Sequence, residues 1–371
     1  MMTSMEKFQK MISLEPYTDR REIPVFPQMI TTFASFAGKT QAEVYGNDKM
    51  DVFQQAILDT IEITGKPDLC FPVNPEEATF GMGLPVRAPG RELGENALYQ
   101  FVEKPYFEDP EEYKKIYEMG WGNWHFQYLM SIQNPVMTEP RQLVERFQAM
   151  GANFGRMIQF IHSHGMVASF HIGGYPIYDC LSLVRSMADF TCDIMEDPGP
   201  IMDIINKYQP EEDAKTIQQM KENHMSIINL FAMRSSSVFT SPAMFQEYVW
   251  PSLKQSIETY HKAGMLCVIH ADANWLPMLH HFTELPKGCC HIELDGTTDI
   301  FKAYEILQGS QSIRGDVPST MFAYKTPDDV REYCEKLIEM GMKGGFMLGS
   351  GCEVPMNGKP ENVKAMIDSV R

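Results

Sequence analysis

Short apolar runs alternate with longer helical patterns along the whole chain, and this alternation restricts its fold more than any other feature. Each run has the length of a buried parallel strand and is followed by residues whose apolar positions repeat with helical spacing. The predicted strands are Ile23–Pro27, Leu69–Val73, Met166–Ile172, Ile228–Met233, 266–270, His291–Leu294, Ile313–Asp316 and Gly345–Leu348. These eight strands between helices predict an α/β chain folded as a (β/α)8 TIM barrel.

The chain of 371 residues contains no internal repeat, low-complexity tract or long linker. Because barrels of this size are commonly one domain, we predict a single barrel domain over 1–371 with an N-terminal extension. Residues 83–106 are rich in glycine and proline, which predicts a hairpin excursion. Helices are expected across Pro110–Met130, Glu139–His162, Gly199–Tyr208 and Glu211–Glu222, among others.

The net charge argues against two classes of binding partner, and the cysteine spacing indicates the cellular compartment. A formal net charge of -17 argues against binding to nucleic acid or to an anionic membrane, since both would repel the protein. The segment Met1–Arg20 lacks the pattern of a signal peptide, and no window is apolar enough to span a bilayer. The eight cysteines do not have the spacing of a disulfide framework. We therefore expect a cytoplasmic protein.

Metal-binding residue types follow two of the predicted strands directly. His270 and Asp272 come after the run 265–269, and Cys352 comes after 345–348. The carboxyl ends of parallel barrel strands open onto one face, so these distant residues can converge there. An imidazole, a carboxylate and a thiolate form a reasonable zinc set with one open position. The competing interpretation is a buried core histidine and a cysteine that acts as a small apolar residue.

Other carboxylates at strand ends leave the third ligand open. Asp272 is either a ligand or the group that orients His270 from outside the coordination shell. Glu293 and Asp295 follow another predicted strand and are the alternative ligands. We predict catalytic roles for Glu293 and Asp316, although capping of its own loop is an equally good explanation for Asp316.

Several segments of the carboxyl-terminal third resemble the uroporphyrinogen decarboxylase superfamily, and in particular its corrinoid-dependent methyltransferase branch. They are FTSP (239–242) through Pro251, HADANW (270–275), GDVP (315–318), TPDDV (326–330), GGFML (344–348), GCEVP (351–355) and KPENVKAM (359–366). The amino-terminal half matches more loosely, through 25–27, 37–40 and 76–78. The resemblance implies a uroporphyrinogen decarboxylase-like TIM barrel.

The chain departs from the decarboxylases at their substrate-binding residues. Those enzymes open with an arginine-rich segment that binds substrate carboxylates, whereas Pro27–Phe33 contains no arginine. They also use an aspartate after the second strand, where this chain has Asn74. A tetrapyrrole with several carboxylates would lack its counter-charges here, so we expect no uroporphyrinogen decarboxylation.

The methyltransferases of the superfamily carry zinc on a His-x-Cys pattern and a second cysteine near the carboxyl terminus. His270 and Cys352 match this pattern, but Asp272 stands at the position of the first cysteine. Replacing one thiolate by one carboxylate keeps the ligand charge and makes the ion a harder Lewis acid.

The resemblance implies a zinc-dependent methyltransferase that moves a methyl group between a small methylated substrate and a corrinoid carried by a partner protein. A methoxylated aromatic is the substrate that the harder site favours. Barrels of this superfamily often pair as homodimers, which we expect here by analogy. Two alternatives remain: a lyase related to uroporphyrinogen decarboxylase, and a non-catalytic protein that binds a corrinoid or tetrapyrrole.

Overall fold

Short strands form the scaffold of the computed structural model, which describes residues 2–371. Each strand predicted from the sequence overlaps one of them. The strands are β1 (Val25–Phe26), β2 (Leu69–Cys70), β3 (Val86–Arg87), β4 (Gln100–Phe101), β5 (Val167–Ala168), β6 (Ile172–Gly174), β7 (Ile227–Phe231), β8 (Leu266–Ala271), β9 (Cys290–Leu294), β10 (Ser312–Val317) and β11 (Phe346–Ser350).

Parallel pairing arranges most of these strands as a barrel wall. Seven of them form one sheet in the order β1-β11-β10-β9-β8-β7-β6, and β2 pairs with β5 in a second parallel ladder. The Asp68 amide donates to the Val25 carbonyl at 2.9 Å, which joins β2 to β1. The chain runs from β5 into β6, so these two strands occupy one position. The eight positions are those of a (β/α)8 barrel whose ladder is interrupted beside β2 and β5.

Helices surround this wall and fill most of the connections. They are α1 (Ser4–Ile12), α2 (Thr32–Phe36), α3 (Gln41–Val44), α4 (Met50–Thr64), α5 (Pro75–Gly81), α6 (Glu112–Met119), α7 (Trp121–Ser131), α8 (Pro140–Ser163), α9 (Ile177–Arg185), α10 (Met187–Glu196), α11 (Gly199–Glu222), α12 (Pro242–Met244), α13 (Trp250–Lys262), α14 (Ile300–Leu307), α15 (Ser319–Tyr324), α16 (Pro327–Gly341) and α17 (Pro360–Asp368). Within residues 2–371, no helix is long and apolar enough to serve as a membrane span.

Two helical predictions are wrong in their boundaries. The helix expected across 110–130 is divided into α6 and α7 at Gly120, whose φ of 87° lies in the left-handed region that glycine tolerates. The helical pattern expected across 199–208 and continuing over 211–222 is one helix, α11, which includes Pro210. Buried residues on both sides of this proline, such as Tyr208 and Asp213, pack the helix against the protein and offset the missing amide hydrogen bond.

Helix α1 closes the amino-terminal end of the barrel. Phe8 and Met11 belong to the same apolar cluster as strand residues from β1, β2, β5, β7, β8 and β11. The Ser4 hydroxyl donates to the Asp68 carboxylate at 2.8 Å, and Lys7 forms an ion pair with the same carboxylate at 3.1 Å. With its amino end filled in this way, the barrel is open to ligands from the carboxyl ends of its strands.

A hairpin leaves the barrel after α5. β3 and β4 pair antiparallel, with Val86 opposite Phe101. The Val102 amide donates to the Pro85 carbonyl at 2.8 Å and closes the base of the hairpin. Glu103, just after β4, forms an ion pair with Arg234 at 2.6 Å. Because Arg234 follows β7, this ion pair holds the hairpin near the carboxyl ends of the strands.

Candidate functional site

A row of inward-facing side chains crosses five neighbouring strands at one height. The register pairs Phe231 with His270, His270 with Glu293, Glu293 with Arg314, and Arg314 with Met347. Residues paired across parallel strands project to the same side of the sheet. The pairing of β8, β9 and β10 therefore places a histidine, a glutamate and an arginine side by side in the barrel interior.

Hydrogen bonds connect this row. Arg314 Nη1 lies 3.2 Å from Glu293 Oε1 and donates to Gln28 Oε1 at 3.0 Å. The other carboxylate oxygen, Glu293 Oε2, lies 3.0 Å from His270 Nδ1. Since the carboxylate accepts, the proton is placed on Nδ1, which leaves Nε2 to face Asp272 Oδ1 at 3.4 Å.

The charges of the row determine the protonation of its members. Burial alone raises the pKa of Glu293, but the Arg314 charge and the His270 hydrogen bond bring this pKa down to about 2. Burial lowers the pKa of His270, and Asp272 and Glu293 together raise it well above its usual range. The negative potential that favours a proton on His270 Nε2 also favours a metal cation at the same place.

Cys352 approaches this group from the loop after β11. Its thiol is half-buried, and burial raises its pKa, while the charge of His270 lowers it and the charge of Asp272 raises it further. All three predicted metal-binding residues therefore lie at the carboxyl ends of strands, His270 and Asp272 at the end of β8 and Cys352 after β11.

The neighbouring Glu353 fixes the loop that carries Cys352. Its carboxylate accepts the amide hydrogens of Ile30 and Thr31, the first at 3.1 Å. The Val354 amide donates to the Gln28 carbonyl at 2.8 Å, which ties the same loop to the segment after β1. The Glu353 carboxylate thus attaches the loop that carries Cys352 to the segment that follows β1.

Whether these donors suit a zinc ion depends on their chemistry and their spacing. Within residues 2–371, the side chains as placed form no group of three or more His, Cys, Asp or Glu residues arranged to hold a metal ion. His270 and Asp272 are nevertheless in contact, and His270 has the outer carboxylate partner typical of metal-binding histidines. The donor types of His270, Asp272 and Cys352 therefore fit zinc chemically.

The carboxylates of Asp295 and Asp316, which were also predicted at strand ends, bond to groups other than His270. Asp295 Oδ2 accepts the Ala273 amide hydrogen at 2.7 Å, so this side chain shapes the loop after β8. Asp316 Oδ1 accepts the hydroxyl hydrogen of Tyr333 in α16 at 2.7 Å. Burial and the nearby Asp295 raise the pKa of Asp316 to about 7. The structure joins Glu293 directly to His270, whereas it directs Asp316 toward the outer helix.

An aromatic wall lies beside His270. The Phe231 ring meets the His270 ring edge-on at 5.7 Å, and Tyr175 stacks on Phe231 at 4.9 Å with planes 22° apart. Tyr99, just before β4, packs edge-on against Phe101 at 5.5 Å, and burial together with the charges of Glu353 and Cys352 raises its pKa. Phe231 and Tyr99 were not predicted as site residues, because aromatic residues near strand ends cannot be distinguished in a sequence from residues of the hydrophobic core.

A parallel barrel with a buried polar row and metal-binding residue types at its carboxyl end defines the general class of this protein. The sequence profile of the uroporphyrinogen decarboxylase (URO-D) family matches residues 185–371, which is half of the chain. The protein therefore belongs to the uroporphyrinogen decarboxylase family, as its motifs predicted.

Comparison with solved structures supports the fold along the entire chain. A methyltransferase from Methanosarcina mazei superimposes with a TM-score of 0.69 and 15% sequence identity, covering 100% of this chain and 98% of its own. At this identity the similarity establishes a common fold. No curated protein sequence matches the chain.

Proposed function

We propose that this protein is a zinc-dependent methyltransferase of a cytoplasmic corrinoid methyl-transfer system. The observation that carries the proposal is the arrangement around His270: its Nδ1 is held by a buried carboxylate, and its Nε2 faces Asp272. Outer carboxylates that fix the tautomer and orientation of a histidine are typical of metal centres. The structural similarity to a methyltransferase agrees with this proposal.

In this proposal His270, Asp272 and Cys352 hold the ion, and a fourth position is left for substrate. Zinc would supply Lewis acidity toward the hetero-atom that loses or gains the methyl group. Glu293 keeps the His270 ring in place, and its charge is balanced by Arg314. Of the alternative third ligands, Asp295 is engaged by the Ala273 amide, which favours Asp272.

The aromatic wall supports a flat methylated substrate. Phe231 and Tyr175 provide a continuous aromatic surface that begins next to the His270 ring. An aromatic ring laid along this surface would be buried by apolar contact while its methoxy oxygen faced the metal site. Together with the hard carboxylate ligand, this surface favours a methoxylated aromatic over a methylated thiol.

The methyl acceptor or donor would be a corrinoid presented by a carrier protein. A corrinoid is too large for the barrel interior, so the carrier must dock over the carboxyl-terminal face. Exposed apolar side chains occur there: Val238 follows β7, and Met187 contacts Arg234 through its sulfur. A homodimer is a further expectation that rests on analogy alone.

The lyase alternative requires a positive pocket for carboxylated substrates. Gln28 and Thr31 occupy the segment where decarboxylases carry arginines, and the arginine of the polar row is paired with Glu293. This arrangement favours the methyltransferase. The remaining alternative, a non-catalytic corrinoid-binding protein, differs from it only in turnover.

The test combines metal analysis with a corrinoid assay. The purified protein should contain about one zinc per chain, and corrinoid absorbance should change when enzyme, reduced carrier and a methoxylated aromatic are mixed. Methylamines and methylthiols provide the comparison substrates. A protein without zinc that also fails to methylate cobalt from every donor, and to demethylate methyl-cobalt with tetrahydrofolate or a thiol, would refute the proposal.

A further inference from the structure

Arg314 is buried in the barrel interior with much of its hydrogen-bonding capacity unused. Its side chain has no solvent exposure, and its Nε and Nη2 atoms have no hydrogen-bond partner. The guanidinium lies 5.0 Å from the centre of the Phe26 ring. Unpaired donors in the interior are destabilising, so stability alone does not explain an arginine at this position.

The neighbouring strand is shaped to accept this side chain. Gly349 on β11 faces Arg314, and a Cβ atom at 349 would lie 2.4 Å from Arg314 Cγ. Any larger residue at 349 would displace the arginine. The packing therefore fixes where the guanidinium is, and this place is beside Glu293.

Both oxygens of Glu293 are engaged as a result. Oε1 lies 3.2 Å from Arg314 Nη1, and Oε2 lies 3.0 Å from His270 Nδ1. To bind a metal directly, Glu293 would have to give up one of these partners. Giving up Arg314 would leave the buried guanidinium without its carboxylate partner, and giving up His270 would free the imidazole ring to rotate.

We propose that Arg314 is a positioning residue that keeps Glu293 as the outer partner of His270 and thereby leaves the third ligand position to Asp272. This inference rests on the proposed zinc site and makes it more specific. Arg314 acts through Glu293 and does not touch the metal or the substrate. Its charge also balances that of Glu293, so a site with two anionic ligands is not burdened with a third uncompensated carboxylate.

The test uses cobalt(II) as a spectroscopic substitute for zinc, with Arg314→Met, Glu293→Gln and the double variant. We expect Arg314→Met to weaken zinc binding about 10- to 100-fold in chelator competition, because the released Glu293 no longer holds the His270 ring. The cobalt(II) ligand-field bands should also change, because the released carboxylate can join the metal. The double variant should return to the wild-type band shape, since it has no carboxylate at 293 to join the ion.

A matched control separates this effect from the general loss of a buried arginine. Arg185 is also buried and pairs with Asp193 at 2.8 Å, in α9 and α10. Arg185→Met should leave zinc affinity and the cobalt(II) bands unchanged.

The other possible results of this experiment would each refute the proposed role of Arg314 or the proposed zinc site. Wild-type bands and affinity in Arg314→Met would refute the positioning role. Altered bands in the double variant would identify Glu293 itself as a ligand and also refute it. If Arg314→Met does not fold, Glu293→Gln alone decides between the same two assignments: bands of wild-type shape support Asp272 as the third ligand, and altered bands identify Glu293 as a ligand. Failure of the wild-type protein to bind zinc or cobalt would reject the proposed function, and this inference with it.

Discussion

The two halves of the barrel differ in how extensively their strands pair. From β7 to β11, each strand pairs with its neighbour over three to five residues. β1 pairs with β11 over two residues, and β2 pairs with β5 over two. The family match, 185–371, covers the extensively paired half.

The two halves of the barrel therefore contribute different kinds of residue to the candidate site. The residues that must keep fixed distances, such as His270, Glu293 and Arg314, lie on long neighbouring strands whose register sets their spacing. The amino-terminal half supplies Tyr175, which follows the short strand β6 and stacks on Phe231 beside the site. Loss of a ligand should therefore affect activity more than loss of a covering residue.

The largest effect is expected at Asp272. Asp272→Ala should lower kcat/KM for methyl transfer at least about 100-fold, because the proposed ion would be misplaced or its charge altered even where some zinc remains. The measurement is corrinoid-linked methyl transfer together with zinc content.

Asp295→Ala is the matched control for Asp272→Ala, since Asp295 sits on the same rim and bonds the Ala273 amide. It should retain zinc and most of the activity. The opposite result, with Asp295 essential and Asp272 dispensable, would exchange the two carboxylates as ligands.

The strand comparison itself is tested by hydrogen exchange. Amides of β8, β9 and β10 should exchange at least about tenfold more slowly than those of β2 and β5, because long continuous ladders open only in larger unfolding events. Mass spectrometry of peptides from the two halves would measure this. Equal protection in both halves would mean that the interrupted ladder does not weaken the amino-terminal half.

A smaller effect is expected for the aromatic wall. Phe231→Leu should raise the KM for a methoxylated aromatic about fivefold with kcat little changed, because an aromatic contact of about 1 kcal/mol is lost outside the reacting atoms. Phe53→Leu, in the outer core of α4 against Phe33, serves as the control and should leave KM unchanged. A fall in kcat alone would indicate that Phe231 positions His270 and does not bind the substrate.

A sequence predicts those features of the fold and of the candidate site that depend on local patterns of residues. Buried parallel strands are continuous apolar runs, so the barrel and the positions of His270 and Cys352 at strand ends were visible. The role of Arg314 was not, because it depends on the register between β9 and β10 and on the space left by Gly349. Helix α1 was missed because its polar, mixed-charge segment buries only a few residues, among them Phe8 and Met11.

The smallest effect on activity is expected at Asp316, whose side chain lies on the same strand as Arg314 but bonds to an outer helix. It follows Arg314 by two residues on β10, yet its carboxyl bonds Tyr333 in the outer helix. Its folded pKa of about 7 lies above the value of about 4 in an unfolded chain. Its contribution to stability is therefore fully present below about pH 4, declines as the pH rises toward 7, and stays reduced above that.

Asp316→Asn keeps an acceptor for the Tyr333 hydroxyl but cannot ionise. We expect the variant to be more stable than the wild type at pH 8, by on the order of 1 kcal/mol, and equal to it near pH 4. Urea unfolding at the two pH values measures this difference. Because the carboxyl points away from His270, methyl transfer should change less than about twofold. A loss of activity of 100-fold or more with normal stability would instead establish Asp316 as the catalytic residue that its strand-end position predicts.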